Sequence, residues 1–271
     1  MTDNPWLATL TAIFLWWFST GIILWRVRVA DNGGPEQHLV SVVLGLPLLA
    51  AGIWGVNVTL TDTSTFGAYV GFLSALAIWG WIELAFLSGI ITGPNRSRCP
   101  PDASDRQRFV RGFGTLAWHE GLLVLALVLL AFATRDLHHP FALWTFSILF
   151  FARISAKLNL FFGVPRINVE FLSTPLLHLP SHFRRGRVNL FYPFSITVLS
   201  FSAACFLERL VSAPTPASTT GFTLLTALTL LALLEHWFMV VPLPDQKLWR
   251  WMIPAPKVIP PELLQEDGNG L

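Results

Sequence analysis

Arg153 and Lys157 stand one helical turn apart inside an apolar run, LWTFSILFFARISAKLNLFF. A cation at a helix centre in a bilayer costs roughly 2.5–3.5 kcal/mol on insertion scales, so such residues face the bundle interior and pair. The two share one helix face, and Glu83, Glu120 and Glu235, also set in apolar runs, are their natural partners. Glu170, His178 and His182 follow the same run through a proline-punctuated segment, and His119 and His236 stand beside Glu120 and Glu235. Four acids against two cations leave a surplus of two negative charges. A low-dielectric site resolves such a surplus by protonating carboxylates or by binding a cation, for which histidines are good ligands.

Three readings of this group stay open. Glu83, His119, Glu120, Glu170, His178, His182, Glu235 and His236 have the residue types with which helical bundles hold di-iron or di-manganese centres, so iron or another divalent metal is one candidate. His119 or His236 could instead ligate the magnesium of a bacteriochlorophyll. A closed salt-bridge network that fixes helix packing is the third. Spacing favours none of them: Pro180 interrupts the His178-Leu-Pro-Ser-His182 pair, a helix breaker unless it opens the helix. No Glu-x-x-His repeat occurs.

The elements that must position these residues are membrane spans. The chain is 53% hydrophobic and 13% charged, with a mean hydropathy of +0.57, whereas a soluble domain has about 25% charged residues. A span needs ~20 apolar residues. Seven runs qualify or nearly do: Pro5–Trp25, Leu39–Leu60, Gly67–Thr92, Phe113–Ala133, Pro140–Val164, Leu190–Leu210 and Gly221–Val241. Arginine and lysine crowd the loops after the first, third, fifth and seventh runs, and the other loops carry Arg135 alone. Cations collect on the cytoplasmic side. The expected fold is therefore all-α, a polytopic membrane bundle of about seven helices with a periplasmic N-terminus and a cytoplasmic C-terminus. With that orientation the acids of the third, fourth and seventh spans reach the depth of Arg153 and Lys157, in one layer toward the cytoplasmic side. Glu170, His178 and His182 would lie beneath it as a floor.

Residues 1–245 are expected to form one transmembrane domain and 246–271 a cytoplasmic interfacial segment with a flexible tail. Leu248-Trp249-Arg250-Trp251-Met252 has the aromatic and cationic mix of a membrane interface. Arg184, Arg185 and Arg187 suit lipid headgroups, and His38, His138 and His139 read as solvated loop residues. The first run lacks a basic leader and a small-residue cleavage site, so it is expected to be retained. Cys99 and Cys205 form neither a disulfide framework nor a metal pair, and no nucleic-acid motif occurs.

Five stretches carry a family resemblance: FLWWFSTGIILW (Phe14–Trp25), GAYVGFLSALAIWGWIELAFLSGIITGP (Gly67–Pro94), LWTFSILFFARISAKLNLFFGVPRINVEFL (Leu143–Leu172), HLPSHFRRGRVN (His178–Asn189) and LLEHWFMVVPLPD (Leu233–Asp245). They resemble the PuhE-type photosynthetic complex assembly proteins, from the first span to the last. The resemblance implies a multi-pass inner-membrane protein of phototrophic bacteria, associated with the genes for the reaction-centre H subunit and bacteriochlorophyll synthesis. It implies an assembly factor for the reaction centre or its core antenna, with those subunits or pigment-pathway proteins as partners beside the lipid bilayer. It carries over no catalytic residues. The alternatives from the residues are a membrane metalloenzyme acting on a lipophilic tetrapyrrole, carotenoid or quinone, and a bacteriochlorophyll carrier.

Overall fold

The computed structural model describes residues 4–137, 140–243 and 247–250; His138, His139, Trp251, Met252 and the rest of the C-terminal tail lie outside the described residues. Secondary structure follows the apolar runs. In order, the helices are α1 (Pro5–Gly33), α2 (Pro35–Leu44), α3 (Leu46–Thr59), α4 (Thr65–Leu87), α5 (Asp105–Gly114), α6 (Ala117–Ala133), α7 (Phe141–Phe162), α8 (Phe191–Val211), α9 (Pro216–Phe238) and the short α10 (Lys247–Arg250). Among the described residues, six runs are long and apolar enough to cross a membrane, with α2 and α3 counted as one, Pro35–Thr59. The α5–α6 pair makes a seventh if its 64° bend is taken within one span.

Several boundaries differ from the sequence expectation for local reasons. Asn4 caps α1 by accepting from the Trp6 N–H at 2.9 Å, and the helix runs on to Gly33 before Gly34 (φ 102°) and Pro35 redirect the chain. The third span stops at Leu87 rather than Thr92. Gly89 takes φ 73°, the Ile90 N–H reaches Ala85 O at 3.0 Å and the Gly89 N–H reaches Phe86 O at 2.8 Å, the paired bonds of a Schellman stop. The fourth span starts at Ala117, after α5, which a Ser104–Gln107 capping box opens. Thr92 O accepts from the Trp118 and His119 N–H groups at 2.9 and 3.1 Å, serving the N-terminus of α6, which lacks a side-chain cap.

Helix α9 runs through the middle, packed on α1, α4, α7 and α8. Its hydroxyls do not strand polar atoms in the apolar interior. Thr223, Thr226 and Thr229 each donate to the carbonyl four residues back, at 2.7 Å, the usual satisfaction of Thr within a helix. Close approach relies on small residues. A Cβ on Gly55 would fall 2.1 Å from Ser74 Oγ where α3 meets α4, and one on Gly221 would fall 2.1 Å from the Phe141 ring where α9 meets α7.

One end of the bundle is closed by residues 163–190, a floor containing two 3-10 turns, Thr174–Leu176 and Leu179–His182. Pro180 sits at the start of the second turn, where its missing N–H is harmless. Asp31, at the end of α1, accepts from the Thr174 N–H at 2.9 Å and lies 3.4 Å from His38 Nε2. His38 is thus buried on α2 rather than solvated in a loop. Arg184 and Arg185, both exposed, also bond within this end of the molecule: Arg184 donates to Asp105 at 2.6 Å, and Arg185 to Pro165 O at 3.4 Å.

Candidate functional site

The spans bring Glu83 (α4), His119 and Glu120 (α6), and Arg153 and Lys157 (α7) together just above the floor. Helical register explains the pairing: Arg153 and Lys157 point to one side of α7, and each meets an acid from a different helix. Arg153 Nη2 donates to Glu83 Oε2 at 2.9 Å, and Lys157 Nζ donates to Glu120 Oε1. His119 Nε2 lies 3.7 Å from Glu83 Oε1 and 4.0 Å from Glu120 Oε1, so the imidazole bridges the two ion pairs without a close hydrogen bond. Its ring is 0% exposed and lies 4.3 Å from the Phe86 ring. Lys157 also sits over Phe86, 5.4 Å from the ring centroid.

The other residues named from the sequence go elsewhere. Glu235 on α9 accepts from Trp16 Nε1 at 2.7 Å. His236 has both ring nitrogens engaged, Nε2 with Ser155 Oγ at 2.9 Å and Nδ1 with Ala232 O at 2.8 Å, and Tyr192 donates to its carbonyl at 3.1 Å. Glu170 lies in the floor, where its carboxylate accepts from Arg250 at 3.3 Å and its carbonyl from Arg28 at 2.8 Å. His178 and His182 lie in the floor, each with an unpartnered Nε2. Burial pushes both imidazoles below the usual histidine range, so they are neutral at pH 7. The surplus in the layer is therefore one acid rather than two, since Glu170 belongs to another pair.

A metal centre does not fit this donor set. Among the described residues no group of three His, Cys, Asp or Glu side chains is placed to hold an ion. The carboxylates of Glu83 and Glu120 already face the guanidinium of Arg153 and the ammonium of Lys157. Those fixed cations satisfy the charge that a divalent ion would otherwise neutralise. His119 is enclosed behind them, and His178, His182 and Glu170 are spread through the floor.

Above the floor lies a cavity of about 650 Å³ whose walls come from α1, α4, α5, α6, α7 and α9. Glu83, Glu120, Arg153, Lys157, Glu235 and His182 all line it, whereas His119 and His236 do not. Trp249 of α10 closes one side. It donates to Trp17 O at 3.0 Å, Trp17 donates back to Leu248 O at 2.8 Å, and the Trp249 ring meets Trp16 edge-on at 5.3 Å. Trp249 is buried by these contacts, not spread at an interface. Sequence reasoning missed Asp31, Trp16, Ser155 and Trp249 as site builders. Asp31 immediately precedes the Asn32-Gly33-Gly34-Pro35 turn, which was a usable signal; a serine or tryptophan in an apolar run gives none.

Helices of spanning length around a paired charged layer and an apolar-walled cavity define a multi-pass membrane protein. The chain belongs to the family described as "Protein of unknown function (DUF3623)", which matches residues 1–259. It is 59% identical over 253 residues, 93% of this chain and 92% of the relative, to an "Uncharacterized 30.4 kDa protein in puhA 5'region" of Rhodobacter capsulatus. No solved structure matches.

Proposed function

We propose that this protein is an integral-membrane assembly factor for the photosynthetic reaction centre or its core antenna, a binding protein without turnover. One observation carries the reading: a relative this similar over nearly its full length is described by its position in the puhA 5′ region, in keeping with the resemblance to photosynthetic complex assembly proteins. The internal geometry is in keeping with binding, because Glu83 and Glu120 are held in ion pairs with Arg153 and Lys157. Its partners in this reading are reaction-centre or antenna subunits or pigment-pathway proteins, in a bacterial inner membrane. The cation-rich loops at the floor end support an arrangement with that end and the C-terminus cytoplasmic and the N-terminus periplasmic. Residues 1–245 then form the membrane domain and 246–271 a cytoplasmic appendage.

The test is an in-frame deletion that leaves puhA transcription intact. Reaction-centre and core-antenna levels fall together in the deletion strain and return with the gene supplied in trans. Unchanged complexes with accumulating pigment-pathway intermediates would defeat the proposal in favour of a pigment-pathway role.

A further inference from the structure

The charged layer is paired but not saturated. An ammonium carries three N–H donors and a guanidinium five, and the carboxylates of Glu120 and Glu83 use only part of that capacity. The Arg153 side chain keeps 37% of its surface open and that of Lys157 18%, although their partners are about 90% buried, and both cations line the cavity. Arg153 Nε and the second oxygen of each carboxylate, Glu83 Oε1 and Glu120 Oε2, are buried without a hydrogen-bond partner. Unmet polar atoms beside an apolar cavity are costly in a low-dielectric interior. A ligand acceptor can complete the spare donors of Arg153 and Lys157, whereas Glu83 Oε1 and Glu120 Oε2 are themselves acceptors and take no part in its recognition.

The charges also define what that ligand is. Glu83, Glu120 and Glu235 against Arg153 and Lys157 give three acids to two cations on the cavity wall. An anionic headgroup would bring a second uncompensated negative charge and is disfavoured. A pure hydrocarbon would leave the spare donors of Arg153 and Lys157 unmet. Aromatic side chains bound the space, Trp16 and Trp249 on one side and Trp79, Phe86 and Phe161 elsewhere, and such surfaces favour flat rings. The volume of about 650 Å³ lies within the range of pockets that enclose small-molecule ligands.

We propose that this cavity binds a neutral, flat, conjugated ring bearing carbonyl oxygens and an apolar tail, with the carbonyls accepting from Arg153 and Lys157. Prenylated quinones and free-base tetrapyrrole esters share that chemistry. The inference does not depend on the assembly role, since it concerns binding by the isolated protein.

The experiment uses the full chain purified in mild detergent. Decylubiquinone and the methyl ester of pheophorbide are titrated in separate arms, read by equilibrium dialysis and thermal shift, with squalene and phosphatidylglycerol as competitors. At least one ring probe binds saturably, and the tighter arm identifies the source of the ring; neither competitor displaces it. The double substitution Glu83→Met with Arg153→Met, which removes the Arg153 donors without stranding a charge and leaves Lys157 in place, weakens binding about tenfold or more, the loss of a hydrogen bond from a charged donor. Ile23→Trp on α1, beside Gly80 of α4, fills the cavity without touching the charged residues and abolishes binding while the thermal midpoint holds, which covers the case of a double variant that fails to fold. The proposal is overturned if neither ring probe binds, if squalene or phosphatidylglycerol competes equally, or if Ile23→Trp leaves affinity unchanged.

Discussion

The Glu120–Lys157 pair shows most directly how this chain tolerates charge between its helices. Removing one partner of a buried pair strands the other and costs about 3–5 kcal/mol, while replacing both with apolar residues of similar volume is often neutral or stabilising. Glu120→Gln or Lys157→Met alone therefore lowers the thermal midpoint of the detergent-solubilised protein sharply. Glu120→Met combined with Lys157→Met recovers most of it, a non-additivity that a double-mutant cycle reads directly. This pair was legible in the sequence because intramembrane charges must find partners and span depth limits the choice. The contacts of Glu170 with Arg250 and Arg28 were not legible, because the sequence does not say which cations a loop residue meets. The environment of His236 was equally hidden: Ser155, which engages its Nε2, is one small residue in an apolar helix.

At the scale of elements, close helix contacts separate two glycines that look alike in sequence. A Cβ at Gly221 would meet three atoms of the rigid Phe141 ring at 2.1–2.5 Å, whereas one at Gly55 would meet mainly the Ser74 hydroxyl at 2.1 Å. Overpacking of this kind costs typically about 1–3 kcal/mol, and a hydroxyl can turn away where a ring between helices cannot. Gly221→Ala is therefore the more damaging change, measured as a lower midpoint and a smaller monodisperse fraction in size-exclusion chromatography. Phe141→Leu in the same chain restores much of the loss. The long apolar helices were readable from hydropathy, but the polar helix α5, the break between α2 and α3 and the helix ends were not. The early stop of α4 depends on Gly89 adopting a positive φ with Pro175 packed against it, a contact from residues far along the chain. The separation of α5 from α6 depends likewise on the Thr92 carbonyl.

For the whole molecule, the proposed orientation is decided by reporter insertion. Alkaline phosphatase placed in the connection at residues 60–64 is active, and green fluorescent protein placed in the connection at residues 96–104 is fluorescent; exchanged reporters are silent. The reverse pattern would invert the molecule and move the charged layer to the other leaflet. Architecture at this scale was the most legible of all, since length and apolarity nearly count the spans by themselves. The cavity was not, because it is a gap between five or more helices and no single segment encodes a gap.

The clasp between α10 and α1 joins the start of the chain to the last described residues: Trp249 donates to Trp17 O, 232 positions away, and Trp17 donates to Leu248 O. Synthesis runs from N- to C-terminus at about 5–20 residues per second. A nascent chain therefore holds all the wall-forming spans before it can close the wall with Trp249. During that interval the cavity is a bowl without its last stave, because Trp249 is the last of its lining residues to be made. The order of translation thereby makes the α1–α10 clasp the last part of this wall to form.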